Sequence, residues 1–137
     1  MIVVEHIENL IKEYIDRFKK PPAEIPDPYS IKFETIDPTS DWRSWSTGAG
    51  IYIIHNINEI FYVGRTFCRS SVRFGGRIDS HLKKISMKRW QPVLESRETV
   101  VTFFNFSKGD DTVDYMIAGL ELFLIDELKP TLNYKRG

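Results

Sequence analysis

Two phenols, a guanidinium, an imidazole and a carboxylate stand in this chain at spacings that suit one chemistry, the cleavage of a phosphodiester. Tyr52 follows Gly50-Ile51 in one apolar run, and Tyr62 precedes Val63-Gly64 at the end of the next. Arg77 and His81 are four residues apart, and Glu121 and Asn133 come from the C-terminal end. Arg77 can offer parallel N–H donors to the non-bridging oxygens as charge builds on a five-coordinate phosphorus. His81, one helical turn later, is placed to shuttle a proton or to orient Tyr52. Glu121 has Ile117, Ala118, Leu124 and Ile125 at three and four residues' distance, and a carboxylate ringed by apolar side chains is costly unless a cation or donors meet it. One such partner is a divalent ion, because Mg²⁺ is often held by a single carboxylate, waters and substrate phosphate oxygens. The other is an Arg or Lys at the helix edge, the commoner arrangement for an isolated acid. Singly, the remaining residues also have plainer readings: strand tyrosines mostly pack their rings, and a lone Arg or His on a helix is mostly solvated.

The combination of Gly50-Ile51-Tyr52, Tyr62-Val63-Gly64, Arg77, His81 and Glu121 with the ending Lys129-Pro130-Thr131-Leu132-Asn133 resembles the GIY-YIG nuclease superfamily, from Gly48 to Asn133. The resemblance implies a divalent-metal-dependent endonuclease hydrolysing phosphodiester bonds of DNA, with RNA left open. It makes Glu121 the ligand of one Mg²⁺ or Mn²⁺, Tyr52 the residue that aids water activation, and Tyr62 the support of the phosphate or of that water. A phenol with a pKa near 10 serves as a base only where a metal-bound water or a nearby cation favours its phenolate. Arg65 takes the place of a phosphate-contacting cation, and Asn133 that of a residue fixing the C-terminal loop, while Gly50 and Gly64 support the site. The interval from Tyr62 to Arg77 is longer than in compact members of the family, so Arg73 stands as the alternative catalytic arginine. The extra residues 66–76 carry Arg69 and Arg73 and suit a loop that contacts DNA.

These residues need elements to position them. Val3, Ile7, Leu10, Ile11, Tyr14, Ile15 and Phe18 step by three and four, which predicts an amphipathic helix ended by Pro21-Pro22. With the proline-rich connector that follows, residues 1–29 form an N-terminal helical extension and residues 30–137 the nuclease-like domain. Alternation from Ile31 to Thr35 allows a short strand, and Trp42 and Trp45 suit core or lid packing more than base stacking. Residues 50–56 and 60–64 read as a hairpin around a polar turn at 56–59. Alternation then sets Tyr52 and Tyr62 side by side. Ile78, Leu82 and Ile85 form one stripe of a helix, with Arg77, His81, Lys84 and Lys88 on the other side. Residues 100–106 form a third strand. A last helix from about residue 112 to 128 buries Val113, Met116, Ile117, Leu120, Phe123 and Leu124 and stops at Pro130. The expected fold is α+β: a small, mainly antiparallel three-stranded sheet flanked by helices, on which Tyr52, Tyr62, Arg77, His81 and Glu121 converge on one concave surface.

Composition limits the partners. The 137 residues, 42% apolar and 28% charged, suit one ordinary globular core. Net charge is zero, yet residues 62–97 hold nine Lys/Arg against two acids, a local basic face that suits phosphate contacts through Arg65, Arg69, Arg73, Lys83, Lys84 and Lys88. Such a run is also the ordinary look of a solvated helix face. Cys68 is alone and the histidines are scattered, so neither an internal disulfide nor a zinc site is expected. No run has the length or apolarity of a signal peptide or membrane span, and a cytoplasmic protein without membrane contact is expected. One site cuts one strand, so double-strand cleavage requires a homodimer or two successive nicks. A competing reading is a non-catalytic nucleic-acid-binding or scaffold protein that keeps the fold. It is disfavoured because both tyrosines, Arg77 and Glu121 are all present.

Overall fold

Asn56 builds the central hairpin of the computed structural model, which describes residues 2–18, 26–33, 48–67, 90–96, 98–106 and 111–133. Its side-chain Oδ1 accepts the amides of Asn58 and Glu59 at 2.8 and 2.7 Å, and its own amide donates to the Glu59 carbonyl at 2.9 Å. This Asx turn closes the chain on itself and joins β2 (Gly50–His55) to β3 (Ile60–Thr66) as an antiparallel pair. A register shift at Ile54/His55 absorbs the odd residue. On the other side of β2 lies β4 (Val100–Asn105), also antiparallel.

The sheet has four strands, not the three expected. Tyr29–Lys32 forms β1, which pairs antiparallel with β4 and gives the order β1-β4-β2-β3. The alternation that suggested a strand begins two residues earlier than expected, and Tyr29 is the first residue of the sheet rather than the last of the connector. What adds this strand is the otherwise unpaired edge of β4, together with a bond of 2.8 Å between the hydroxyls of Ser30 and Thr102 and the packing of Ile31 against the neighbouring cluster.

Each face of the sheet carries its own cluster. Ile51, Ile53, Val63 and Phe104 meet two helices, α1 (Ile2–Phe18) and α3 (Asp111–Leu128). The predicted stripe of α1 is buried there at Ile7, Leu10, Ile11, Tyr14 and Ile15, so the N-terminal helix shares one core with the sheet. Burial raises the phenol pKa of Tyr14. In α3 the expected residues are buried except Phe123, which lies at the margin and meets the Tyr14 ring at 5.5 Å. The opposite face carries Tyr52, Ile54, Val101 and Phe103, packed with Phe33, Phe61, Leu132 and, from the segment of α2 (Gln91–Glu95), Trp90 and Val93. No helix among the described residues is long and apolar enough to cross a membrane.

Candidate functional site

Gly64 decides where the first tyrosine goes. It lies directly opposite Tyr52 across the β2–β3 ladder, and with no side chain in that slot the phenol ring lies across the neighbouring strand. A Cβ built on Gly64 would come within 2.3 Å of Tyr52 Cζ and 2.4 Å of its hydroxyl oxygen, far inside any real contact distance. Tyr62 is the diagonal neighbour, paired with Ile54, and such diagonal neighbours are within reach of aromatic side chains. The two rings lie side by side, with centroids 6.1 Å apart and planes at 31°. The Trp90 ring also meets Tyr62, with centroids 5.7 Å apart and planes tilted at 45°. Tyr52 is buried and Tyr62 half-buried.

Arg65 is the next residue along β3 and therefore leaves the strand by the opposite face, level with Ile51. There α3 presents Glu121 at the edge of its buried stripe, between Ile117 and Leu124. Arg65 Nε donates to Glu121 Oε1 at 3.0 Å, with the two side chains 35% and 19% exposed. The guanidinium carbon also sits 4.4 Å above the centre of the Phe67 ring. Partial shielding by protein makes such a pair stronger than an ordinary surface bridge. The desolvated carboxylate has thus found an arginine of the sheet.

The C-terminal segment seals part of the edge strand. Asn133 Oδ1 accepts the Val63 amide and its Nδ2 donates to the Val63 carbonyl, both at 2.8 Å. Just before it, the amides of Thr131 and Leu132 donate to the carbonyls of Ile60 and Phe61 at 3.2 and 2.7 Å. Asn133 therefore acts on the site through backbone position, holding β3 from Ile60 to Val63 as a strand with both sides occupied. At the other end Gly50 has φ +146, and a Cβ there would fall 2.1 Å from the Phe104 carbonyl oxygen. Only glycine fits both that backbone and that approach.

The predicted set is divided by the sheet. Tyr52 and Tyr62 face the Trp90 side, whereas Glu121 and Arg65 face the α1 and α3 side, so the described residues do not form the single concave surface expected. What the two groups share is the edge strand β3: the phenol end of Tyr52 lies over Gly64, and Arg65 is the adjacent residue, its Cα about 3.8 Å further along. Arg77, His81, Arg69, Arg73, Lys83, Lys84 and Lys88 lie outside the described residues, as do Trp42, Trp45 and Cys68. Two contributors escaped the sequence reading. Phe67 stands two residues after Arg65 on the same side of the chain, so strand alternation was the available signal. The pairing of Arg65 with Glu121 spans 56 positions, and nothing local announces it.

Among the described residues no group of three His, Cys, Asp or Glu side chains is assembled around a metal position. Glu121 offers a single carboxylate there, and Arg65 lies against it at 3.0 Å. No protein-family model matches this chain, and neither a curated protein nor a solved structure matches it.

Proposed function

We propose that this protein is a divalent-metal-dependent endonuclease that hydrolyses phosphodiester bonds of DNA. The observation that carries the reading is that the phenol end of Tyr52 lies against Gly64 while the next residue of the edge strand, Arg65, pairs with Glu121 on the other face. A backbone running along that edge would meet a phenol from one face of the sheet and a cation and a carboxylate from the other. Glu121 would hold one Mg²⁺ or Mn²⁺, which when bound would neutralise phosphate charge and lower the pKa of a coordinated water. Tyr52 takes the part of accepting a proton from the attacking water, with Tyr62 supporting the phosphate or that water. Arg77 is the donor to the developing phosphorane charge, and His81 the residue that relays a proton from Tyr52. Arg65 supplies a planar cation to a non-bridging oxygen. The basic residues Arg69, Arg73, Lys83, Lys84 and Lys88 extend the contact along the phosphate backbone. Two copies of the chain, or two visits of one, would be needed to cut both strands, and a cytoplasmic location suits a chain with one cysteine and no paired thiols.

A second reading, a binding or scaffold protein without catalysis, is favoured by a different observation: Tyr52 is only 1% exposed, and Glu121 is engaged by Arg65. One experiment separates the two. Supercoiled plasmid incubated with the protein and Mg²⁺ or Mn²⁺ is expected to be nicked, with the activity lost in EDTA and in Glu121→Gln. Binding of the same plasmid without nicking under every metal condition would establish the second reading.

A further inference from the structure

We propose that Ser30 and Thr102 form a proton relay through which buried His55 titrates while the protein stays folded. Three side chains on three neighbouring strands make the path. His55 Nε2 on β2 accepts from Thr102 Oγ1 on β4 at 2.8 Å, and Thr102 Oγ1 lies 2.8 Å from Ser30 Oγ on β1. His55 and Thr102 are fully buried, whereas Ser30 is exposed at the edge of the sheet. The other side of the imidazole is fixed, because the Asn56 carbonyl at 3.1 Å can only accept and so keeps a proton on Nδ1. Nε2 is therefore the basic atom of the ring, and the polar group it meets is a hydroxyl that leads outward.

A hydroxyl donates and accepts at once, so the path runs in either direction. With His55 neutral, Ser30 donates to Thr102 and Thr102 to Nε2. In acid, Ser30 Oγ takes a proton from hydronium and passes its own to Thr102 Oγ1, which passes its own to Nε2. Each oxygen ends with one proton, hydronium becomes water and the imidazole becomes imidazolium. Both hydrogen bonds survive with donor and acceptor exchanged, and the Ser30 hydroxyl now donates to solvent. The charged ring keeps an acceptor at each nitrogen, as a buried polar group requires. Burial lowers the His55 pKa and the Asn56 carbonyl opposes it. From the helices packed on the sheet, α1 turns in the phenol of Tyr14, which burial keeps neutral, and α3 turns in Asp114 and Glu121, the latter paired with Arg65. Lys32 on β1 is exposed and Glu59 in the hairpin turn is half-buried. None of these five takes part in the three hydrogen bonds of the path.

The test follows the ring nitrogens of His55 by nitrogen NMR in the full chain, from neutral pH to the onset of acid unfolding. Wild type should give one averaged Nε2 signal that moves from the unprotonated to the protonated position while the backbone amides of β2 and β4 keep their folded shifts. Nδ1 should stay protonated throughout. Ser30→Ala cuts the path at the surface and leaves the Thr102–His55 bond in place. It should therefore split the titrating signal into two slowly exchanging ones, which interconvert no faster than the β2 amides open to hydrogen exchange. Ser30→Thr, which keeps a hydroxyl, should restore the single signal. If Ser30→Ala titrates with the averaged signal of wild type, the proton enters elsewhere and the relay is overturned. It is equally overturned if Nε2 of wild type stays unprotonated until the folded amide spectrum is lost, or if wild type already shows the two forms as separate signals.

Discussion

Gly64 shows how one missing side chain can aim another. Its Cβ position is filled by the Tyr52 ring, so Gly64→Ala must drive the phenol off the edge strand or push the strand outward. Overpacking of that kind typically costs about 1–3 kcal/mol, to be read as a lower urea midpoint with an unchanged slope. Nicking should fall with it, since Tyr52 loses its place. Arg77→Ala should lower the cleavage rate by about two to three orders of magnitude if the residue meets the transition state as an oxyanion donor does. Equal losses in binding and rate would make it a simple phosphate anchor.

At the scale of elements, the edge of β3 is finished by the chain's own C-terminal segment. Both polar ends of Asn133 are spent on Val63, so Asn133→Ala removes two part-buried hydrogen bonds worth about 1–3 kcal/mol together. Amide exchange is the direct measure: the Val63 amide should lose protection while those of β4 keep it. The turn leading into that segment carries a small strain. Lys129 ends α3 with φ +49, its amide donating to the Ile125 carbonyl at 2.9 Å, a left-handed cap usually filled by glycine. Lys129→Gly should accordingly raise stability by up to about 1 kcal/mol, visible as a higher thermal midpoint.

For the whole molecule, acid is the expected point of weakness. His55 is fully buried, its Nδ1 donating to the Asn56 carbonyl at 3.1 Å and its Nε2 accepting from Thr102 Oγ1 at 2.8 Å. This is the hydrogen-bonding pattern of a neutral imidazole, and burial holds its pKa below the usual 6.5. The unfolded chain therefore takes up a proton that the folded one refuses. Stability held above about pH 6.5 should fall as pH drops through that value toward the depressed folded pKa. Urea midpoints between pH 7.5 and 5 should show this decline, and His55→Gln should flatten it. The distribution of charge makes a separate prediction. Each phosphate met by the residues from Arg65 to Lys88 should add about 0.9 to the log–log salt slope of DNA binding, and a slope near zero would leave that run a solvated helix face.

The hairpin, the stripes of both long helices and the adjacency of the two tyrosines were legible in the sequence, because each depends on residues a few positions apart: Asn56 with Glu59, Ile7 with Ile11, Tyr52 and Tyr62 across one turn. Period and turn chemistry act locally and survive without tertiary context. The fourth strand was not legible, since a four-residue edge strand exists only where β4 offers it unpaired groups. Nor was the fate of Glu121. Its apolar neighbours told that a cation or donors must meet it, but that Arg65 does so depends on which face of the sheet Arg65 leaves by. The division of the tyrosines from Glu121 has the same origin: alternation sends adjacent residues of one strand to opposite faces, and only the register of β3 against β2, with α3 laid across one side, decides which chemistry each face receives.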